Sequence, residues 1–310
     1  MTPALPVYLV DAFAEQAFRG NPAGVVFEAD GLSDDQMRQI AAEVGAGATA
    51  FLSGLNNLHR PPRLRCFTPT TEVEFCGHAA LAAAHAVYAS GCAGDLRARP
   101  EAVLRFDTAS GELSVAAEWL PDPHEGPLWW LDMPAPDLAP ADVNPVKLCE
   151  LLGGSDAQLD DRFAPARTRD RDLIVFLNSW PALMDLRPRF EDLAEWCRRQ
   201  HLRGVCVATT ATLSQAIAVH SRFFAPGCGV NEDPVTGSVH GPLAAYLVSH
   251  GVGVGPGGRA ALVCAQGVPG GRTGLVRALV EPGAKGPAVR IGGACHLTIQ
   301  GTIRVPPCDL

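Results

Sequence analysis

A helix with no polar face cannot lie on the surface of a soluble protein, so other elements must enclose it. This sequence contains two such helices. AALAAAHAVY (Ala79–Tyr88) is apolar almost all round, and GPLAAYLV (Gly241–Val248) is nearly so. Each belongs to a longer unit, FTPTTEVEFCGHAALAAAHAVYASG and FAPGCGVNEDPVTGSVHGPLAAYLVSHG. Both units run Phe-x-Pro, a polar loop, Gly followed by a polar residue, an apolar helix and a closing Gly. From Gly77 to Gly91 and from Gly237 to Gly251 the step is the same 14 residues. One supersecondary unit is used twice. The expected fold is α+β, with two pseudo-symmetric halves, each a mixed sheet wrapped around its own central helix. If the two helix N-termini meet across a cleft, their free N–H groups and partial positive charge suit an anion, and a small carboxylate is the expected ligand.

The remaining punctuation agrees with two halves. At 310 residues the chain exceeds the usual single core of about 100–150 residues. VYLVDAF reads as a strand, FRGNPAG as a turn and VVFEA as a second strand. LSDDQMRQIAAEVG reads as an amphipathic helix with Ser33 as N-cap and Gly45 as its stop. ATAFLSG and RLRCFTP read as strands, and Ser110–Gly111 as the turn of a hairpin. A Pro-rich passage, Pro121–Pro145, suggests the crossover. Residues 1–122, joined by a returning strand at 298–310, make the first half, and 123–297 the second. In the second half, DLIVFLN, GVCVATT, RALVE, AVRIGG and CHLTIQGTIRV read as strands and FEDLAEWCRRQ as a helix.

Composition narrows the partners. Net charge is −8 with no Lys/Arg run, which removes the polycationic footprint of a nucleic-acid binder. No segment approaches about 18 uninterrupted apolar residues, and the N-terminus lacks a signal-peptide pattern, so no membrane partner and a cytoplasmic location are expected. Ten cysteines occur without any Cys-x-x-Cys pair, against zinc and against a secreted disulfide framework. Most are expected to be reduced core residues. Gly-x-Gly-x-x-Gly after a strand, a phosphate-loop Lys, His-Glu-x-x-His and Gly-x-Ser-x-Gly are all absent, and no cofactor is expected.

Candidate chemistry gathers at the helix entrances. GVNEDPVTGSVHG places Glu232, Asp233, Thr236 and Ser238 in a turn before the second helix, where Asp233 and Thr236 read equally as caps or as site residues. EFCGHAA places Cys76 and His78 before the first. Cys76 reads as a small buried thiol or as a reactive one; His78, beside Gly77 at the helix mouth, is the stronger candidate. His85 and His240 read as core or capping groups. Asn21 is a turn residue or faces the cleft.

DAFAEQAFRGNPAGVVF, FTPTTEVEFCGHAALAAAH, GVNEDPVTGSVHG, AQGVPGGRTG and VRIGGACHLTIQG occur in the order seen in the phenazine-biosynthesis PhzF family. The chain resembles that family over nearly its whole length. The resemblance implies the diaminopimelate-epimerase-like fold with the active site between the halves, and the chemistry of a cofactor-free isomerase that moves a proton in a dihydro-hydroxyanthranilate. It also implies catalytic roles for His78 and Asp233, and substrate contacts from Asn21, Gly77, Thr236, Gly237 and Ser238. The family's base is a glutamate in a Ser-Glu-Thr segment. The aligned residues here are Gly47, Ala48 and Thr49, so Ala48 stands in the glutamate's place.

A methyl group takes no proton. In the related epimerases a cysteine at the matching helix entrance acts as acid or base, which makes Cys76 the candidate replacement, with Asp233 as its partner. Along the chain Cys76 has no adjacent Lys, Arg or second Cys to activate it. Simple loss of the base is therefore the favoured expectation. Three readings stay open: an isomerase using Cys76, His78 or Asp233; a different reaction on the same kind of ligand; and a non-catalytic, even engineered, carboxylate binder. A homodimer is the expected assembly.

Overall fold

The structure, a computed structural model, describes residues 3–307 apart from 58, 75, 100, 101, 122–125 and 285. The expected boundary at residues 122 and 123 and the residues beyond 307 lie outside the described ones. The chain forms two compact units, Met1–Asp132 with Gly292–Leu310, and Met133–Ile291.

The first unit runs β1 (Ala4–Ala12), β2 (Asn21–Val26), α1 (Asp34–Val44), β3 (Ala48–Ser53), β4 (Arg63–Phe67), β5 (Glu72–Val73), α2 (Gly77–Ala89), β6 (Val103–Thr108), β7 (Gly111–Glu118) and β8 (Leu128–Asp132). The second runs β9 (Leu138–Pro140), α3 (Pro145–Leu152), β10 (Ala166–Thr168), β11 (Asp172–Phe176), α4 (Trp180–Met184), α5 (Phe190–Arg199), β12 (Gly204–Thr209), β13 (Val219–Ala225), β14 (Val230–Asp233), α6 (Gly237–Ser249), β15 (Ala260–Gly267), β16 (Thr273–Glu281) and β17 (Ala288–Gly293). The chain then returns to the first unit as β18 (Cys295–Arg304), antiparallel to β1 along its length.

Helix α2 is the axis of the first unit. Gly77 and every residue from Ala79 to Val87 are buried, and β1, β2, β3, β7, β8 and β18 all pack on it. Alanine suits this position twice over, because it costs the helix least and lets strands approach from every side. Helix α6 repeats the design with the same 13 residues, opening on Gly237 and packing on β15 and β16. Beyond each C-cap the chain turns at a left-handed glycine, Gly91 at φ 76° and Gly251 at φ 82°.

On the other side of the first unit's sheet lies α1, begun by a capping box between Ser33 and Gln36 and ended at Gly45, φ 69°. Its buried face meets Val26, Phe51 and Phe67. That contact sets the alternation of three strands. Gly24, Thr49 and Phe51 face α1, so Asn21, Ala23, Ala48, Ala50 and Cys66 face α2. Gly24 is required there, since a Cβ would come within 2.7 Å of both Thr49 Oγ1 and Val44 Cγ1. Gly24→Ala should therefore destabilise the protein by about 1–3 kcal/mol, seen as a lower urea midpoint at unchanged m.

One expectation is corrected. FRGNPAG is not wholly a turn: the turn ends at Gly20, φ 64°, and Asn21 and Pro22 open β2 opposite Ala12 and Asp11. The Pro-rich passage holds the division between the two units, at Asp132 and Met133. It contains β8, which pairs with β7, and β9, which pairs with β10.

Candidate active site

In the first unit the strand alternation brings sequence-distant residues to the α2 face. Parallel β2 and β3 set Ala23 beside Ala48, and antiparallel β3 and β4 set Ala50 beside Cys66. Ala48 is buried, 2% exposed. Asn21 is buried too, its Oδ1 4.0 Å from where Gly47 would carry a Cβ. Ala48 thus lies on a strand packed on α2, with Asn21 alongside.

Cys76 is the N-cap residue of α2, and His78 is the second residue of that helix. Cys76 Sγ lies 3.4 Å from His78 Nδ1. The expectation that Cys76 has no second cysteine to activate it is overturned. Cys66, ten residues earlier on β4, lines the same small cavity as Cys76. The cause is strand register: β4 and β5 are paired antiparallel with Cys66 opposite Val73, so the chain turns back and delivers Cys76 to Cys66. The Cys66 thiol, the positive charge and hydrogen bond of His78 and the N–H of Ala79 outweigh burial and hold the Cys76 thiol well below its ordinary value. Cys66 is held well above it, first because its proton is the one shared with Cys76 and then by burial.

The second unit's entrance is tied by a buried amide. Gln266, fully buried on β15, accepts from the Thr236 N–H at 2.8 Å and donates to the Asp233 carbonyl at 2.7 Å and to Thr236 Oγ1 at 3.1 Å. Thr236 Oγ1 in turn donates to Asp233 Oδ2 at 2.6 Å. β13 positions both partners, with Phe223 opposite Asp233 and Ser221 opposite Gln266. His240 is fully buried, and its Nδ1–H donates to the Thr236 carbonyl at 2.7 Å. Burial pushes it down to about 4, so it is a neutral structural group, as is His85, likewise lowered to about 4 by burial and hydrogen-bonded to Trp129 Nε1 at 3.2 Å. Glu232 is an ion-pair partner of Arg222 at 2.8 Å.

Ser238, second residue of α6, accepts from Arg203 Nη2 at 2.9 Å. Arg203 Nε donates to Asp172 at 2.7 Å, and Asp172 is fully buried. Parallel β11 and β12 set Asp172 opposite Gly204, the neighbour of Arg203. Pro242, inside α6, has no N–H to give the Ser238 carbonyl in the usual i to i−4 bond. Ser238 thus offers a hydroxyl and a carbonyl beside a cation. Arg203, Asp172, Gln266 and Cys66 were not singled out from the sequence; only the quoted AQGVPGG motif carried a signal, for Gln266.

Among the described residues no group of three or more His, Cys, Asp and Glu is placed to hold a metal ion, and no helix is long and apolar enough to cross a membrane. The nine described cysteines are free, six of them buried; Cys308 lies outside the described residues.

A fold of this class also occurs in a hydroxyproline epimerase from Agrobacterium vitis solved with bound trans-4-OH-L-proline. That structure is 14% identical at a TM-score of 0.63, covering 99% of this chain and 95% of the other. A phenazine biosynthesis protein of the PhzF family from Bacillus anthracis superimposes at a TM-score of 0.85 and 23% identity over 97% of this chain and 99% of that one. An uncharacterized isomerase of Pseudomonas aeruginosa is 36% identical over 303 residues, 97% of this chain and 99% of the relative. A family model described as phenazine biosynthesis-like protein matches residues 10–301. The chain belongs to that family, PhzC-PhzF.

Proposed function

We propose that the protein is a cofactor-independent isomerase that moves a proton on a small carboxylate substrate, with the Cys76 thiolate as base in place of the family's glutamate. The observation that carries this reading is the Cys66–Cys76–His78 cluster at the mouth of α2. Catalysis at carbon needs a base that is ionised at working pH and held in place. Cys66 and His78 favour the thiolate, and its place at the N-terminus of a buried helix restrains it. His78 relays the proton. Asp233, fixed by Thr236, is the second proton-transfer group. Substrate contacts fall to Asn21, to the Gly77 and Gly237 amides, and to Thr236 and Ser238, with the helix N-termini supplying partial positive charge for the carboxylate. Return of the proton to another carbon is isomerisation; return to the same carbon from the opposite side is epimerisation. The naming of the Pseudomonas relative as an isomerase supports the class.

The test is incubation in deuterated water with a panel of amino acids and cyclic carboxylates, read by mass. Wild type should place solvent deuterium on a carbon, and Ala48→Glu should add nothing or disturb packing, because Ala48 is 2% exposed. Exchange by Ala48→Glu but not by wild type would show a lost base instead. Saturable binding with no exchange by either would show a carboxylate binder.

A further inference from the structure

We propose that Cys66 and Cys76 are an oxidisable dithiol, which a peroxide closes to a disulfide that silences the first unit's site. Formation of the bond rests on the shared cavity and the His78 contact; its effect on turnover rests on the reading of Cys76 as base.

The two cysteines line one small cavity, Cys66 from β4 and Cys76 from the N-cap of α2. Its volume is about 10 Å³, space for about one water-sized molecule. Cys76 is partly exposed, which gives a small peroxide access to its sulfur. The two sulfurs also differ in the way such chemistry requires. Cys76 is biased toward the thiolate and has His78 Nδ1 at 3.4 Å; Cys66 keeps its proton. An oxidant-sensitive cysteine is an available thiolate poised beside a resolving thiol. Of the other described cysteines, burial pushes Cys206, Cys264 and Cys295 up and leaves them as inert packing.

The steps balance. The Cys76 thiolate attacks one peroxide oxygen, the O–O bond breaks, and the departing hydroxide takes the proton held by His78 and leaves as water. Cys76 is then a sulfenic acid. The Cys66 sulfur attacks it, the S–S bond forms, the S–O bond breaks, and hydroxide leaves with the Cys66 proton as a second water. Two thiols lose two electrons and one peroxide becomes two waters. Cys76 in a disulfide can accept no proton from carbon, and a thiol reductant restores it.

The experiment treats the full-length protein with stepwise hydrogen peroxide and maps the non-reduced digest by mass, with deuterium exchange measured on the same samples. The expected result is a peptide pair linked through Cys66 and Cys76, removed by thiol reductant, with loss and recovery of exchange in step. Cys66→Ser should lose the link and expose Cys76 to trapping by a sulfenic-acid reagent, with Cys66→Ala as the alternative if the serine does not fold. Linkage through the exposed Cys92 or Cys228, or Cys76 running to sulfinic acid as readily in wild type as in the Cys66 variants, would overturn the proposal. A clean Cys66–Cys76 link with exchange unchanged would preserve the dithiol and sink the reading of Cys76 as base.

Discussion

Cys76→Ala should abolish solvent exchange into substrate, with a fall of about 10²–10⁴-fold, the usual worth of a positioned general base. Folding should survive, because a partly buried N-cap that makes no side-chain capping bond contributes little to the helix. The pH profile separates base from bystander. The wild-type rate should rise with pH through an inflection below the ordinary thiol value, because Cys66, His78 and the Ala79 N–H all favour the thiolate. In His78→Phe the inflection should move upward, since one of those groups is gone. An inflection that ignores both changes, or exchange that survives Cys76→Ala, would place the base elsewhere and reopen simple loss at Ala48.

Arg203→Met should cost about 3 kcal/mol of stability at neutral pH in urea unfolding. That is the lower end of the about 3–5 kcal/mol expected when one partner of a buried pair is removed, because the Arg203 side chain keeps 32% of its surface in water. The loss comes from Asp172, fully buried and left without its cation. Burial already pushes the Asp172 carboxyl up, and Arg203 pulls it back. In the variant the upward push of burial is opposed only by the weaker pull of Arg171. A carboxyl whose folded value lies above its unfolded one supports stability below the unfolded value, about 4, and loses that support as pH rises through the folded value. The variant should therefore approach wild type near pH 4 and fall furthest behind at pH 7 and above. A gap independent of pH would assign the loss to packing. Because Arg203 also donates to Ser238, KM for a carboxylate substrate should rise in the same variant.

What local sequence controls was legible, and what register controls was not. The N-cap at Ser33, the stop at Gly45 and a strand at ATAFLSG are settled within a few residues and appear as expected, while the alternation read in that strand does not, since both of its faces are buried. Asn21 was misplaced into a turn because Pro22 and Gly24 are turn formers in isolation. The surrounding strands override that preference by pairing β2 with β1 on one side and β3 on the other. Cys66 looked like one more core thiol, since nothing near RLRCF in the sequence announces that β5 will double back. Arg203 lies 31 residues from Asp172 and 35 from Ser238, and no spacing rule links positions so far apart.

By itself, the sequence determined the repeated unit, the two enclosed helices and the family, because apolar periodicity, glycine punctuation and residue identity are written along the chain. Tertiary structure alone decided which thiol meets Cys76, which carboxylate anchors Arg203 and which amide ties Asp233 to Thr236. Those are contacts between side chains on different strands, and a shift of one residue in strand register would turn each partner to the opposite face of its sheet.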